Sequence, residues 1–360
     1  MIKILFIAPH RFNRSPSQRY RFEQYFEFFK KNDIQPKLSF IISEKDDAVF
    51  YGEGKLIRKL FIFFKSIFIR IKDWKNYSKY DIVFVQREAL MIGSSFFERK
   101  IKNSKAKFIF DFDDAIWKLD TSAANKKWEW LKNPNKTKEI ITASDLVIAG
   151  NSYLMNYALR FNSNVKLIPT TIDTGFHQPP SKKTNNDVIT IGWSGSKTTI
   201  KHFESAISVL QKLKVKYGNK LEFKVMGDDS FINDELNIKG IPWSHETEVE
   251  TINSFDIGIM PLPDDEWAKG KCGLKGLSYM ACAIPTIMSP VGVNAEIIQH
   301  GENGFLANSE DEWFNYLSVL IENPDLRKKL GENARKTVEE KYSVEANKHL
   351  YLKAIQEVLK

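Results

Sequence analysis

Lys271-Cys272-Gly273-Leu274-Lys275-Gly276-Leu277-Ser278-Tyr279-Met280-Ala281-Cys282 stands between two short apolar runs, Ile257–Met260 and 284–288. An apolar run, a glycine-containing loop, a helix-forming stretch and a second apolar run make one strand–helix–strand unit of a parallel sheet. The glycine-containing loop turns into a helix with Lys271 and Lys275 in or near its first turn, and Gly273 and Leu274 between them are expected ligand-binding residues. Positive charge at that end opposes the helix dipole. An anion held between the ammonium groups and the free backbone N–H groups resolves the conflict. The stretch therefore predicts both a βα fold and a phosphate or diphosphate site.

The same alternation extends in both directions. Strands are expected at 2–8, 36–41, 81–86, 107–112, 145–150 and 165–169, then at 188–192, 221–227, 238–243, 257–260 and 284–288. Phe22, Tyr25, Phe26 and Phe29 fall on one face of a helix expected over 21–32. Ile200, Phe203, Ile207, Leu210 and Leu213 form a second stripe. Pro179 and Pro180 open a polar linker that runs to 186. The expected architecture is α/β, with two Rossmann-like doubly wound domains facing a cleft. The first spans 1–178 and is joined by a C-terminal helix at about 344–360; the second spans 186–343.

A chain of 360 residues with 42% apolar content has room for two cores. Its net charge of +8 favours anionic partners. Cys272 and Cys282 are too few for a disulfide framework and carry no metal spacing, so a reducing, cytoplasmic compartment is expected. The first residues read as a strand and not as a signal segment, and no apolar run reaches the length of a membrane span. The segment 54–75 interleaves Phe and Ile with Lys and Arg. It is expected either to pack on the first sheet or to touch an anionic membrane surface, placing the protein peripherally at the inner face of the plasma membrane.

Several loops after expected strands carry polar groups. Gly195, Ser196 and Lys197, with Lys201 one turn on, follow the strand at 188–192; Walker spacing is absent, because Ser196 intervenes between Gly195 and Lys197. Gly227 and Asp228 close the next strand, and Trp243 ends the strand at 238–243. Gly292, Val293, Asn294 and Glu296 form another glycine turn into a helix. In the first domain Ser17 is an expected N-cap, which places Arg19 and Arg21 in a first turn and makes them acceptor or phosphate ligands. Asp111, Asp113 and Asp114 end an apolar strand; clustered carboxylates there are expected to serve as base, hydroxyl anchors or metal ligands.

These motifs together resemble the family 4 glycosyltransferases of GT-B fold, particularly the bacterial branch acting on surface polysaccharides. The resemblance runs over nearly the whole chain. It is carried by Ser278-Tyr279-Met280-Ala281-Cys282-Ala283-Ile284-Pro285, by Ser289-Pro290-Val291-Gly292-Val293-Asn294, and by Ile298-Gln299-His300-Gly301-Glu302-Asn303-Gly304-Phe305-Leu306-Ala307. It is supported by Phe255-Asp256-Ile257-Gly258-Ile259-Met260-Pro261-Leu262 and Leu330-Gly331-Glu332-Asn333-Ala334-Arg335. The resemblance implies a nucleotide-sugar donor on the second domain, a glycan or lipid-linked acceptor on the first, retention of configuration, and neither cofactor nor essential metal. It assigns the diphosphate to Gly195, Lys197 or Lys201 and Gly273, and places Trp243 near the base. The family's usual pair of glutamates is replaced here by Gly270 and Ser278, leaving Lys271 and Lys275 to hold the diphosphate.

Two other readings compete. Phe108-Ile109-Phe110-Asp111-Phe112-Asp113 imitates the nucleophile motif of haloacid-dehalogenase-type phosphohydrolases, and Gly227-Asp228-Asp229 its late acidic motif, but Ala115 departs from the pattern. A basic binding module accounts for the charge; no nucleic-acid motif is present, so nucleic acid is not an expected partner.

Overall fold

A computed structural model describes residues 1–52, 54–118, 133–180 and 187–360. Residues 181–186 of the expected linker lie outside the described residues. The chain divides into two compact units, one of Met1–Thr170 with Asn347–Lys360 and one of Thr171–Ala346.

The first unit is built on a six-stranded sheet. Its strands are β1 (Ile2–His10), β2 (Ile34–Ile42), β3 (Ile82–Gln86), β4 (Lys107–Phe112), β5 (Leu146–Ala149) and β6 (Val165–Leu167), in the order β2-β1-β3-β4-β5-β6. All neighbours are parallel. The β3 and β5 runs are buried along their whole length, as strands covered on both faces must be. Phe6 on β1 packs on Phe22 and Phe84, with ring centroids 5.0 and 4.9 Å away. The helix expected over 21–32 is broken. A helix at Pro16–Arg21, a 3₁₀ turn at Glu23–Tyr25 and a helix at Phe26–Lys31 replace it, because Phe22 leaves the helical region (φ −143°). Phe22, Tyr25 and Phe29 still face the core. The last helix, Val344–Val358, contributes Tyr351 to this unit, its ring 4.6 Å from Tyr25.

The second unit holds a five-stranded sheet. Here β7 is Ile189–Ser194 and β8 is Leu221–Met226; β9 (Ile232–Asn233) and β10 (Ile238–Lys239) form a separate antiparallel pair. Then come β11 (Ile257–Met260), β12 (Thr286–Met288) and β13 (Phe305–Leu306), giving the order β13-β12-β11-β7-β8. The strand expected at 238–243 is thus mostly absent. After β10 only Ile241 bridges to Met226, and Gly240 is pressed so close to Asp228 O that a Cβ would lie 1.8 Å from it. Trp243 belongs to no strand; it packs half-buried on a cluster containing Met226, Ile252 and Phe255. Phe203, Leu210 and Leu213 of the expected stripe pack with Trp193 in the main core.

Both sheets reverse direction once. The first strand has neighbours reached by opposite crossovers, β2 and β3 in the first unit, β8 and β11 in the second. In open α/β sheets the carboxyl ends of the strands at such a reversal are where ligands bind.

Candidate functional site

At the reversal in the second unit, β7 runs out through Ser194 and Gly195, and β11 runs out toward the lysine helix, Leu274–Ala281. Gly273 caps that helix with φ +70°, a left-handed conformation that glycine adopts without strain. Tyr279, fully buried on the helix, ties the two segments together. Its hydroxyl accepts from Ser194 N at 2.6 Å and bonds Ser194 Oγ at 2.9 Å.

The two lysines are placed differently. Lys275 Nζ lies 4.2 Å above the Trp193 ring and donates to Thr199 Oγ1 at 3.3 Å. Lys271 Nζ lies 4.9 Å from the Trp267 ring. Both are half-buried. Their charges meet at His202, a side chain that sequence reading passed over. Burial, followed by Lys275, Lys271 and Lys201, lowers the His202 pKa to about 4. His202 is 3% exposed, and its Nδ1 has no hydrogen-bond partner among the described residues. Three ammonium groups outweigh the Asp265 carboxylate in their effect on this imidazole, so the surroundings of His202 are electropositive. Lys197 and Ser196 are exposed on the preceding turn.

An anion bound among these lysines cancels part of the field on His202. Its pKa is therefore expected to rise from about 4 toward 6.5 when pyrophosphate is added, followed by NMR of the imidazole protons. The sign follows from the direction of the shift: with the folded value depressed, His202 contributes stability above pH 6.5 that is lost as pH falls through about 4. An unmoved titration at saturating pyrophosphate would show that the anion binds elsewhere.

The opposite wall comes from the turn after β12. Gly292 (φ +56°) lets that turn close on Lys269, whose carbonyl oxygen would be 2.7 Å from a Cβ there. Val293 is buried beside it. Asn294 is fully buried; its Nδ2 donates to Ser289 O at 3.1 Å, while Oδ1 has no partner among the described residues. Oδ1 lies 3.6 Å from where a Gly273 Cβ would be, beside the start of the lysine helix. Glu296 is exposed one turn on.

Other expected positions have local duties. Gly227 (φ +109°) is needed because the β7 and β8 loops meet there, a Cβ lying 1.8 Å from Gly195 O, so protein backbone and not a ligand demands the glycine. Gly195 N itself donates to Met226 O at 2.9 Å. Asp228 Oδ1 accepts from Ser230 N and Oγ at 3.1 and 2.5 Å as a turn residue. Ser278 Oγ bonds Leu274 O at 3.0 Å and is buried, so its hydroxyl is engaged within the helix.

In the first unit the N-cap is Ser15, not Ser17, and Pro16 occupies the first turn. Arg19 and Arg21 fall in the last turn, where positive charge suits the dipole, and the argument for a phosphate there lapses. The aspartates are matched by arginines instead. Asp111 and Arg21 form a pair with both side chains 0% exposed, at 2.6 Å. Asp113 accepts from Ser17 Oγ, from Gln86 Nε2 at 3.4 Å and from Arg87 Nε at 2.9 Å, and Asp114 bonds the Arg87 Nη2 group. Burial pushes the Asp113 carboxyl up, but Arg87, Ser17 and Arg21 together hold it below its usual value. Arg87 sits at φ +62° directly after β3, and His10 ends β1, its Nε2 2.9 Å from Tyr51 Oη. Sequence reading missed both, although their places at the ends of two adjacent central strands are the signal that marks them.

The comparisons with known proteins bear on both units. Residues 176–337 match the family described as glycosyl transferases group 1. The chain is 23% identical over 319 residues to an uncharacterized glycosyltransferase of Methanocaldococcus jannaschii, covering 80% of this chain and 79% of that protein. Sucrose-phosphate synthase of Thermosynechococcus elongatus superposes with a TM-score of 0.73 at 12% identity, over 99% of each chain. HepE of Anabaena, solved with UDP and glucose, superposes with a TM-score of 0.65 at 13% identity, over 99% of this chain and 100% of that one. The two Rossmann-like α/β units thus have the GT-B fold of these structures, and the segment similar to the group 1 glycosyl transferases makes up most of the second unit.

Proposed function

We propose that the pocket of the second unit grips the diphosphate of a nucleoside diphosphate sugar, and that the enzyme passes the sugar, with retention, to a glycan or lipid-linked acceptor in surface-polysaccharide synthesis. The family 4 likeness belongs to the same reading. The observation that carries it is the convergence of Lys201, Lys271 and Lys275 on neutral His202 at the sheet reversal. In the transfer, the bond from the sugar C1 to the β-phosphate oxygen breaks and the acceptor oxygen bonds C1. The acceptor hydroxyl proton passes to an oxygen of the departing diphosphate, on which negative charge grows as the bond to C1 breaks. The lysines and the N-terminus of Leu274–Ala281 stand where that charge develops. Asn294 Oδ1 accepts a donor sugar hydroxyl in this reading. Gly195, Gly273, Gly292 and Val293 shape the walls, and Trp243 lies toward the base. Ser278 is left out as a ribose ligand because its hydroxyl is already bonded.

Thermal unfolding in UDP, GDP, dTDP, ADP and CMP tests the proposal. One nucleotide is expected to raise the melting temperature, a ligand at a hundred times its Kd adding about 2.7 kcal/mol. UDP is the first to try, given the ligand held by HepE. Identical melting curves in all five would count decisively against a nucleotide-sugar donor.

A further inference from the structure

The helix Leu56–Trp74 in the first unit turns Ile62, Ser66 and Arg70 toward the protein. Arg70 is 0% exposed and donates to Ala8 O at 2.9 Å and to Asp73 at 2.9 Å, and Ser66, 4% exposed, bonds Ile62 O. A line of its large apolar residues faces out. Ile57 is 84% exposed, Phe61 69%, Phe64 64% and Phe68 70%. These four recur at i, i+4, i+7 and i+11, so they share one side of the helix. An ordinary surface helix buries such a stripe. Here Arg58, Lys72 and Lys75 stand exposed at its margins. At its C-terminal end Trp74 packs edge-on against Phe96 at 5.7 Å, with Lys100 Nζ 4.8 and 5.1 Å from their rings.

We infer that this face is an anchor for an anionic lipid bilayer, with the aromatic stripe entering the acyl boundary and the cations meeting headgroup phosphates. Charge complementarity selects the bilayer: aliphatic and aromatic side chains at the centre and lysine or arginine at the rim is the pattern of a helix lying in the interfacial plane. Trp74 beside Lys100 suits headgroup depth. Area argues against a second copy of the chain. A 19-residue helix is about 28 Å long. A stripe roughly 10 Å wide on it covers about 300 Å², well short of the roughly 800 Å² per partner of a stable dimer. No described helix is long and apolar enough to cross a membrane, so the contact is made by lying on the surface.

The test is co-sedimentation of the full chain with phosphatidylcholine vesicles containing about one-third phosphatidylglycerol, against phosphatidylcholine alone. Wild type is expected to sediment with the anionic vesicles and much less with the neutral ones. Phe61→Ser/Phe64→Ser/Phe68→Ser is expected to lower the partition coefficient at least about tenfold, and Arg58→Glu/Lys72→Glu/Lys75→Glu to abolish the preference for anionic lipid. Both variants should keep the wild-type nucleotide-dependent melting shift, which separates failure of the anchor from failure of the donor site. Wild type that stays in the supernatant, or a serine variant that binds like wild type, overturns the inference. So does a wild-type dimer in sedimentation equilibrium that the serine variant converts to monomer.

Discussion

Lys271→Ala/Lys275→Ala is expected to slow sugar transfer by about a thousandfold while leaving the protein folded. A well-placed donor to developing charge is worth about 3–4 kcal/mol in a water-excluded site. Two lysines on one diphosphate overlap in effect, so roughly 4 kcal/mol for the pair is the expectation, and kcat should fall more than KM rises. The structural cost is small by comparison. Both side chains are half-buried, and Lys275 forfeits a contact with the Trp193 ring, about 1 kcal/mol, and a bond to Thr199. A second readout does not depend on activity: His202, now relieved of two neighbouring charges, should titrate above its starting value of about 4. Lys197→Ala is the control, since Lys197 is exposed, and its effect on turnover should be several-fold at most. Wild-type turnover in the double variant would sink the proposed role.

Why the lysine helix was legible and its surroundings were not has a physical basis. Helix start, glycine cap and lysine spacing are local, written within a dozen residues. Strands buried on both faces read as continuous apolar runs, which is why β4 and β11 match expectation to the residue. Two-residue strands leave no such run, so β9 and β13 give no signal, and the run at 238–243 reads as one strand although its Gly240 closes against Asp228. Charge partners were the largest omission. Arg21 meets Asp111 across 90 positions, Arg87 meets Asp113 across 26, and Tyr279 meets Ser194 across 85. Such pairings depend on strand order, and strand order is set by crossovers whose direction one sequence does not print. The aspartates thus read as open carboxylates when the fold had already given each a guanidinium. The 54–75 segment shows the converse. Its composition suited a packed helix or a membrane helix equally, and only the burial of Arg70 and Ser66 reveals which face is turned outward.

Arg21→Met is expected to destabilise the first unit by about 3–5 kcal/mol, the cost of leaving a buried carboxylate without its partner. Arg21 Nη2 donates to Asp111 Oδ1 at 2.6 Å and Nη1 to Ile168 O at 2.6 Å, so one guanidinium joins β4 to the segment after β6. The Tyr351 hydroxyl donates to the Arg21 backbone carbonyl, which ties the C-terminal helix into the same knot. Burial pushes the Asp111 carboxyl up and Arg21 pulls it back; without Arg21 the carboxyl must take a proton or draw in water. Asp111→Asn breaks the pair from the other side and should cost a similar amount. Arg21→Met/Asp111→Leu removes both charges together and should recover most of the loss, because a buried pair replaced as a unit leaves no uncompensated charge. Urea unfolding, with hydrogen exchange at β4 amides to isolate the first unit, measures all three. The series also decides what Asp111 is for. A structural Asp111 gives an Asn variant whose loss of turnover tracks its loss of folded protein and a double variant that regains both. A catalytic Asp111 gives an Asn variant as stable as wild type with turnover abolished, and a double variant that is folded and dead. Asp113 and Asp114 should behave differently again, since their partner Arg87 is 31% exposed. Water can compensate there, and Asp113→Asn should cost the fold no more than about 1–2 kcal/mol.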